Sequence, residues 1–208
     1  MTRRLLVLAV GALSVAPLLA QNPTGWKVRV DRSQNAQDPD NTPNLKFIKI
    51  PKGFHVTGGP AGTFWSPTQS AAGDFTLKAT FTLVKPSNHV NYYGLVLGGA
   101  ELEGANQTYT YFVVAQDGTY LVRQRSGAAV TEVQNRMVHA AVKRPDSGGS
   151  STNALEVRVA GTTISYVVNG TVVHTSPKAA AKTDGLVGFR VNHVLDVQVE
   201  GFEVQKPK

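Results

Sequence analysis

Carboxylate pairs, aromatic rings and arginines on short alternating segments are the groups in this 208-residue chain that could do chemistry. Glu101 with Glu103, and Asp196 with Glu200, fall on common faces if their segments are extended, because side chains alternate along a strand. Paired acids suit glycoside hydrolysis, where a retaining mechanism needs them about 5 to 5.5 Å apart. Residues two apart on one strand sit about 6.5 Å apart at Cα, a gap that side-chain lean can close. Glu101 and Asp196 are therefore the catalytic candidates. The competing reading makes Asp196 and Glu200 the solvent side of a half-buried strand. It makes Glu101 and Glu103, between Gly99 and Gly104, a loop at the rim of a sheet, where Glu101 could still serve a ligand.

Binding chemistry has more material. Trp65, Tyr92, Tyr93, Tyr109, Tyr111 and Tyr120 could supply a stacking platform, since a flat aromatic face matches the C–H face of a pyranose while hydroxyls bond its edges. Core packing, with each phenol reaching a partner, is the alternative. Tyr93, Tyr109 and Tyr111 are the best placed because their segments read as central strands. Arg123, Arg125 and Arg190 could grip vicinal hydroxyls or a carboxylate with the guanidinium fork, or simply face solvent. Arg190, Asn192 and His193 in RVNH would present three polar groups at one sheet edge, unless they form an ordinary turn.

Other chemistries find little support. The five histidines show no H-x-H or H-x-x-x-H spacing, so zinc is not expected. Asp31, Asn35, Asp38, Asp40 and Asn41 are rich in oxygen, but the distal bidentate Glu of a calcium loop is missing. No cofactor is therefore expected, with calcium at Asp38 and Asp40 as the alternative. No G-x-S-x-G elbow occurs, which removes the usual setting for a nucleophilic serine.

Composition bounds the compartment and the partners. Arg3-Arg4, an apolar run from Leu5 to Leu19 and the small residue Ala20 read as an export leader, residues 1–20, followed by one domain over 21–208. The arginine pair raises twin-arginine export, while the Leu-rich core favours the general secretory route. An exported, periplasmic or extracellular protein with no membrane span after cleavage is expected. No cysteine is present, so neither a disulfide nor a lipoprotein cysteine is expected, and the core must hold the domain alone. The formal charge of +7, or +5 without Arg3 and Arg4, is scattered along alternating segments, which argues against a nucleic-acid footprint. Oligomeric state is left open.

The elements that must position these groups are strands. In DFTLKATFTL, Phe75, Leu77, Ala79, Phe81 and Leu83 face one way and Thr76, Lys78, Thr80 and Thr82 the other. Shorter strands are expected at 26–30, 45–50, 53–59 and 62–67. NYYGLVLGGA and QTYTYFVVA are apolar on both faces, as central strands of a two-layer sandwich should be. Asn169-Gly170 between β-branched runs predicts a two-residue hairpin turn, and Asp117-Gly118 a second. RPDSGGSSTN reads as a loop. Val197 and Val199 are out of phase with Phe202 and Val204, so a bulge at Gly201 is predicted to return all four to the core. Twelve to fourteen strands with frequent turns give an all-β, two-sheet antiparallel β-sandwich or jelly roll.

The order Phe64-Trp65, DFTLKATF, YYGLVLGG, YTYFVVAQDG, ISYVVNGTVV and DGLVGFRVNHVLDVQVEGF resembles the concanavalin A-like lectin/glucanase superfamily over nearly all of the chain after residue 20. Its VNG hairpin before a GLVGFR strand is similar to laminin-G-type and 3-keto-disaccharide-hydrolase-type members. The resemblance implies the sandwich fold but not an activity, since such sandwiches serve lectins, hydrolases and structural modules alike. Family 16 glycoside hydrolases of this superfamily use E-x-D-x-x-E on one strand, which this chain lacks. The expectation is a carbohydrate-binding module whose partner is a sugar or glycosylated surface, with its site on the concave sheet. A glycoside hydrolase or lyase, and a structural or adhesion module, are the alternatives.

Overall fold

The computed structural model describes residues 22–32, 35, 37–38 and 45–207; the expected leader and the calcium candidate Asp40 lie outside them. In chain order the strands are β1 (Lys27–Asp31), β2 (Lys46–Ile50), β3 (Gly53–Thr57), β4 (Ala61–Ala71), β5 (Phe75–Lys85), β6 (Tyr92–Ala100) and β7 (Thr108–Ala115). They continue as β8 (Thr119–Ser126), β9 (Ala129–Val138), β10 (Ser151–Ala160), β11 (Thr163–Val168), β12 (Thr171–Pro177), β13 (Gly185–Val191) and β14 (Asp196–Gln205). Two seven-stranded sheets result, ordered β1-β4-β13-β6-β7-β8-β9 and β12-β11-β10-β5-β14-β3-β2. Every pairing is antiparallel. The last two strands enter the middle of their sheets, β13 between β4 and β6 and β14 between β5 and β3. Arg190 on β13 is thereby carried to the centre of the first sheet.

The core lies between the sheets, as the alternation requires. Phe75, Leu77, Ala79, Phe81 and Leu83 of β5 are in it, with Tyr93, Leu95 and Leu97 of β6, Phe112 and Val114 of β7, and Phe189 of β13. At one end Phe189 stacks on Phe64 at 5.0 Å between ring centroids, with Trp26 5.4 Å from Phe189 and 4.4 Å from Phe54. Each such side chain removed from water contributes about 1.5 to 3 kcal/mol.

Turn chemistry matches the strands it joins. Asn169 and Gly170 have φ of 49° and 82°, the double positive φ of a tight hairpin. Asn169 adds its own side chain, which accepts a bond from Ala154 N at 2.9 Å and donates to Asn153 at 2.9 Å. Gly201, at φ 61°, sits where the β14–β5 register slips between Glu200 and Glu203. This bulge brings Phe202 and Val204 against the core, and Phe202 lies 5.6 Å from Trp26.

The structure departs from the sequence reading in three segments. The strand expected at 62–67 runs on to Ala71, because a large bulge sets Ser70 opposite Leu186 and Trp65 opposite Gly188. The bulged stretch includes Pro67, which has no N–H for the ladder and stands exposed. The loop expected at 144–153 ends earlier, with β10 beginning at Ser151 after Asp146 Oδ1 accepts bonds from the backbone of Gly148 and Ser150. β9 carries no alternating signal because it is an edge strand, exposed over most of its length.

Candidate functional site

Strands β1, β4, β13, β6, β7 and β8 turn one side chain in two away from the core, and on the first sheet these outward residues are not all polar. Part of that face is roofed by the chain between β6 and β7. There Leu102 is buried against Trp65, Val96 and Tyr109, with Tyr111 and Leu186 at the margin. The roof is tied across the sheet to β1: Arg29 Nη1 donates to Gly104 O at 2.8 Å and Glu103 O at 3.2 Å, and Lys27 pairs with Glu103. Glu101 takes φ 51° and its carbonyl accepts the Gly104 N–H at 2.9 Å, which turns the loop over the sheet.

Beside the roof the sheet stays open as a groove of about 210 Å³, lined by Tyr92, Tyr111, Val113, Leu121, Arg123, Arg190 and Asn192. The floor is apolar, from Val113 and Leu121, which are buried. Tyr111 stands half-buried as a wall, with the Arg190 guanidinium 5.9 Å from its ring centroid. Tyr111 is opposite Arg123 in the β7–β8 register, and the two side chains share a hydrogen bond.

Arg190 is anchored below the groove. Its Nη1 donates to Asp31 Oδ2 at 2.6 Å, Thr63 Oγ1 at 3.0 Å and Tyr109 OH at 3.2 Å, and its Nε to Asn192 Oδ1 at 3.1 Å. Asp31 is shared further with Arg29 Nε at 3.2 Å and with Arg125, whose Nη1 lies at 3.9 Å. Burial alone would raise the Asp31 carboxyl, but the charge and hydrogen bond of Arg190, with Arg125 and Arg29 behind it, hold it below the usual carboxylate range. Burial also opposes the charge on Arg190, yet Tyr109 and Asp31 beside it leave the guanidinium above its ordinary value. Burial pushes the Tyr111 phenol up, and the nearby arginines offset this only in part.

Of the residues singled out in the sequence, Tyr92, Tyr111, Arg123, Arg190 and Asn192 meet in the groove. The others are placed elsewhere. Tyr93 points between the sheets, where its hydroxyl accepts a bond from Asn153 Nδ2 at 3.2 Å, so it cannot reach the outer face. Trp65 and Tyr109 do turn outward but are covered by Leu102, at 2% and 0% exposure. His193 lies in the turn past Asn192, its ring 6.2 Å from that of His89 and its carbonyl accepting a bond from Asn91 Nδ2 at 3.1 Å. Glu101 is on the exposed roof of the first sheet, whereas Asp196 is on β14 of the second, paired with His55. The two proposed catalytic acids therefore share no groove. Asp31, set among the calcium candidates by its sequence, is committed to arginines, and Asp38 N donates to Asn35 O at 3.0 Å. Among the described residues, no group of three or more His, Asp and Glu could hold a metal ion.

Sequence reasoning missed Asp31 as the arginine partner, Leu102 as the roof, and Val113 and Leu121 as the floor. Of these only Val113 had a signal, in the two-faced apolar run of β7. A larger depression of about 270 Å³ on the outer face of the second sheet contains no aromatic ring. Its Lys78 is paired with Glu203 at 2.9 Å and its Glu156 with Arg158 at 2.8 Å. The smaller groove holds more recognition chemistry.

Fold and site place the chain in a class before they place it in a family: it has the concanavalin A-like jelly-roll fold of lectins and glucanases. The carbohydrate binding module CBM66 from Bacillus subtilis superposes with a TM-score of 0.63 at 13% identity, covering 88% of this chain and 96% of that one. A Bacillus subtilis protein of unknown function with a galectin-like fold gives 0.62 at 12%, with 87% and 89% covered. Bacillus licheniformis β-glucanase gives 0.56 at 8%, with 90% and 95% covered. The 3-keto-α-glucoside-1,2-lyase-like domain family matches residues 18–205, and the chain belongs to it. No curated protein matches the chain.

The ion pair under the groove generates a pH prediction. Because Asp31 is depressed in the folded state, its stabilisation is present above the unfolded value of about 3.9 and is lost as pH falls through the lower folded value. Asp31→Asn should cost about 3 to 5 kcal/mol at neutral pH, by leaving Arg190 buried without its counter-ion. Urea unfolding of parent and variant across pH checks this. The gap should be full near pH 7 and narrow below about pH 4; a gap constant throughout would remove the pair from the account.

Proposed function

We propose that this is a carbohydrate-binding domain whose site is the groove between Arg190 and Arg123, and that it binds without catalysing a reaction. One observation carries the reading: an apolar floor and a half-buried tyrosine ring lie between two sets of forked donors. A sugar ring has the matching anatomy, an apolar C–H face and a hydroxyl edge. The volume of about 210 Å³ is below the roughly 300–1,000 Å³ of typical small-molecule pockets, which suits a single ring. The likeness to a carbohydrate binding module and the family's sugar-directed description both support a saccharide ligand.

A lyase acting on a 3-keto sugar is the second reading, favoured by the family to which the chain belongs. Proton removal needs a base, and the groove's candidates are poor ones. Burial raises the Tyr111 phenol further above its ordinary value, and the Asp31 carboxylate is held by arginines. That balance supports binding alone. A glycan array with a parallel assay for sugar release separates the readings, since release would establish the lyase and binding without release the module.

Export belongs to this proposal and rests on residues 2–20 of the sequence. Intact mass of the protein recovered outside the cytoplasm should begin at Gln21; a species starting at Met1 would count against it.

Two tyrosines two residues apart, Tyr109 and Tyr111, should behave differently. Tyr111→Ala is expected to weaken sugar binding by about 1 to 3 kcal/mol, taking base–aromatic stacking as the measure, with little change in melting temperature. Tyr109→Ala, which empties the space under Leu102, is expected to cost about 3 to 5 kcal/mol of stability. Calorimetric binding and thermal melting of both variants provide the check. Equal melting losses, with binding in proportion to folded protein, would return Tyr111 to the core.

A further inference from the structure

The groove holds unused hydrogen-bonding capacity of one kind. Arg123 gives Nη2 to Glu132 Oε1 at 2.7 Å, but its Nε is buried and meets no acceptor in the protein. A charged donor shut away from water without a partner is costly, and a ligand oxygen would relieve that cost. Arg190 satisfies its Nη1 and Nε on Asp31, Thr63, Tyr109 and Asn192, which leaves Nη2 for the groove that it lines. Both donors belong to guanidinium groups beside Tyr111: that of Arg190 lies 5.9 Å from its ring centroid, and Arg123, opposite on β8, also bonds its side chain.

Charge on this face points the same way. Its ion-paired cations are Lys27, Arg29, Arg123, Arg125 and Arg190, against the acids Asp31, Glu103 and Glu132 and the roof's Glu101. Asp31 alone is divided among three guanidinium groups, so its single negative charge does not neutralise them. The buried Val113 and Leu121 beneath exclude water and strengthen what attraction remains. A neutral sugar would offer hydroxyls to these donors. A carboxylate offers two oxygens in one plane, the acceptor that a guanidinium fork binds most strongly.

We propose that the groove selects an acidic sugar, a uronate whose carboxylate is held between Arg123 and Arg190 while its ring lies on Tyr111. This rests on the carbohydrate reading above and adds the class of sugar. Glu132 then has a part as well: it holds one arm of Arg123, and with it the direction of the fork.

Matched probes test the proposal. Oligogalacturonate, oligomannuronate and oligoguluronate are titrated calorimetrically into the domain beside the same oligosaccharides after carboxyl reduction, which removes the charge and keeps the ring. At least one acidic member should bind about tenfold more tightly than its reduced counterpart, a difference of about 1.4 kcal/mol, and should weaken as salt is raised. Arg123→Gln should abolish that preference at an unchanged melting temperature. Arg123→Lys, which restores charge without the fork, should recover only part of it. If reduced oligosaccharides bind as tightly as acidic ones, the uronate proposal is overturned while sugar binding stands. It is overturned in the same way if Arg123→Gln weakens both classes equally. If neither class binds, and a neutral glycan array is also blank, both readings fall.

Discussion

The carboxylate of Asp31 meets Arg190 at 2.6 Å, Arg29 at 3.2 Å and Arg125 at 3.9 Å, and the outer face of the first sheet depends on that meeting. Asp31 closes edge strand β1, Arg190 rides on central β13, and Arg125 comes from β8 on the far side of β7. One acid thus links the edge, the centre and the far part of the sheet. A buried ion pair is weak evidence for net stability, because desolvation offsets much of its attraction and apolar replacements often do as well. Its consequence is geometric. With Nη1 held by Asp31, Thr63 and Tyr109, the Arg190 head lies beside Tyr111, at the lining of the groove.

Strands β6 and β7 are apolar on both faces, which leaves two surfaces to be covered. The second sheet covers one. The chain between β6 and β7 covers part of the other, through Leu102 over Trp65, Val96 and Tyr109. Arg29 and Lys27 hold that roof down from β1, so the strand that supplies Asp31 also fixes the limit of the covered region. What remains uncovered is the groove. The part-exposed Tyr111 ring beside a tied-down loop is a cost in an unliganded protein, and a sugar ring relieves it.

The sandwich was legible because its rules are local. Phe75 to Leu83 alternate, Asn169-Gly170 needs positive φ, and the phase slip after Val199 forces the bulge at Gly201; each follows from period and turn chemistry alone. The site was half legible. Tyr111, Arg123, Arg190 and Asn192 were readable as residue types on central strands, but alternation could not say which apolar face of β7 meets the second sheet. Tyr109 and Tyr111 share one face, and only the roof separates their fates, burying the first and leaving the second at its edge. Nothing in Glu101-Leu102-Glu103-Gly104 announces that its leucine folds back over the sheet. Asp196 failed as a partner for Glu101 for a topological reason: β14 is in the second sheet, and no spacing along the chain reveals that.

The claim that the Asp31–Arg190 contact organises this face is tested most directly by a double-mutant cycle in unfolding free energy, using Asp31→Asn, Arg190→Met and the pair together. Each single change leaves a buried group without its partner, whereas the double change removes both, so the combined loss should fall short of the sum of the singles by well over about 0.5 kcal/mol. Losses that add to within about 0.5 kcal/mol would show that the two side chains act independently, and the account of the groove built on their contact would be wrong.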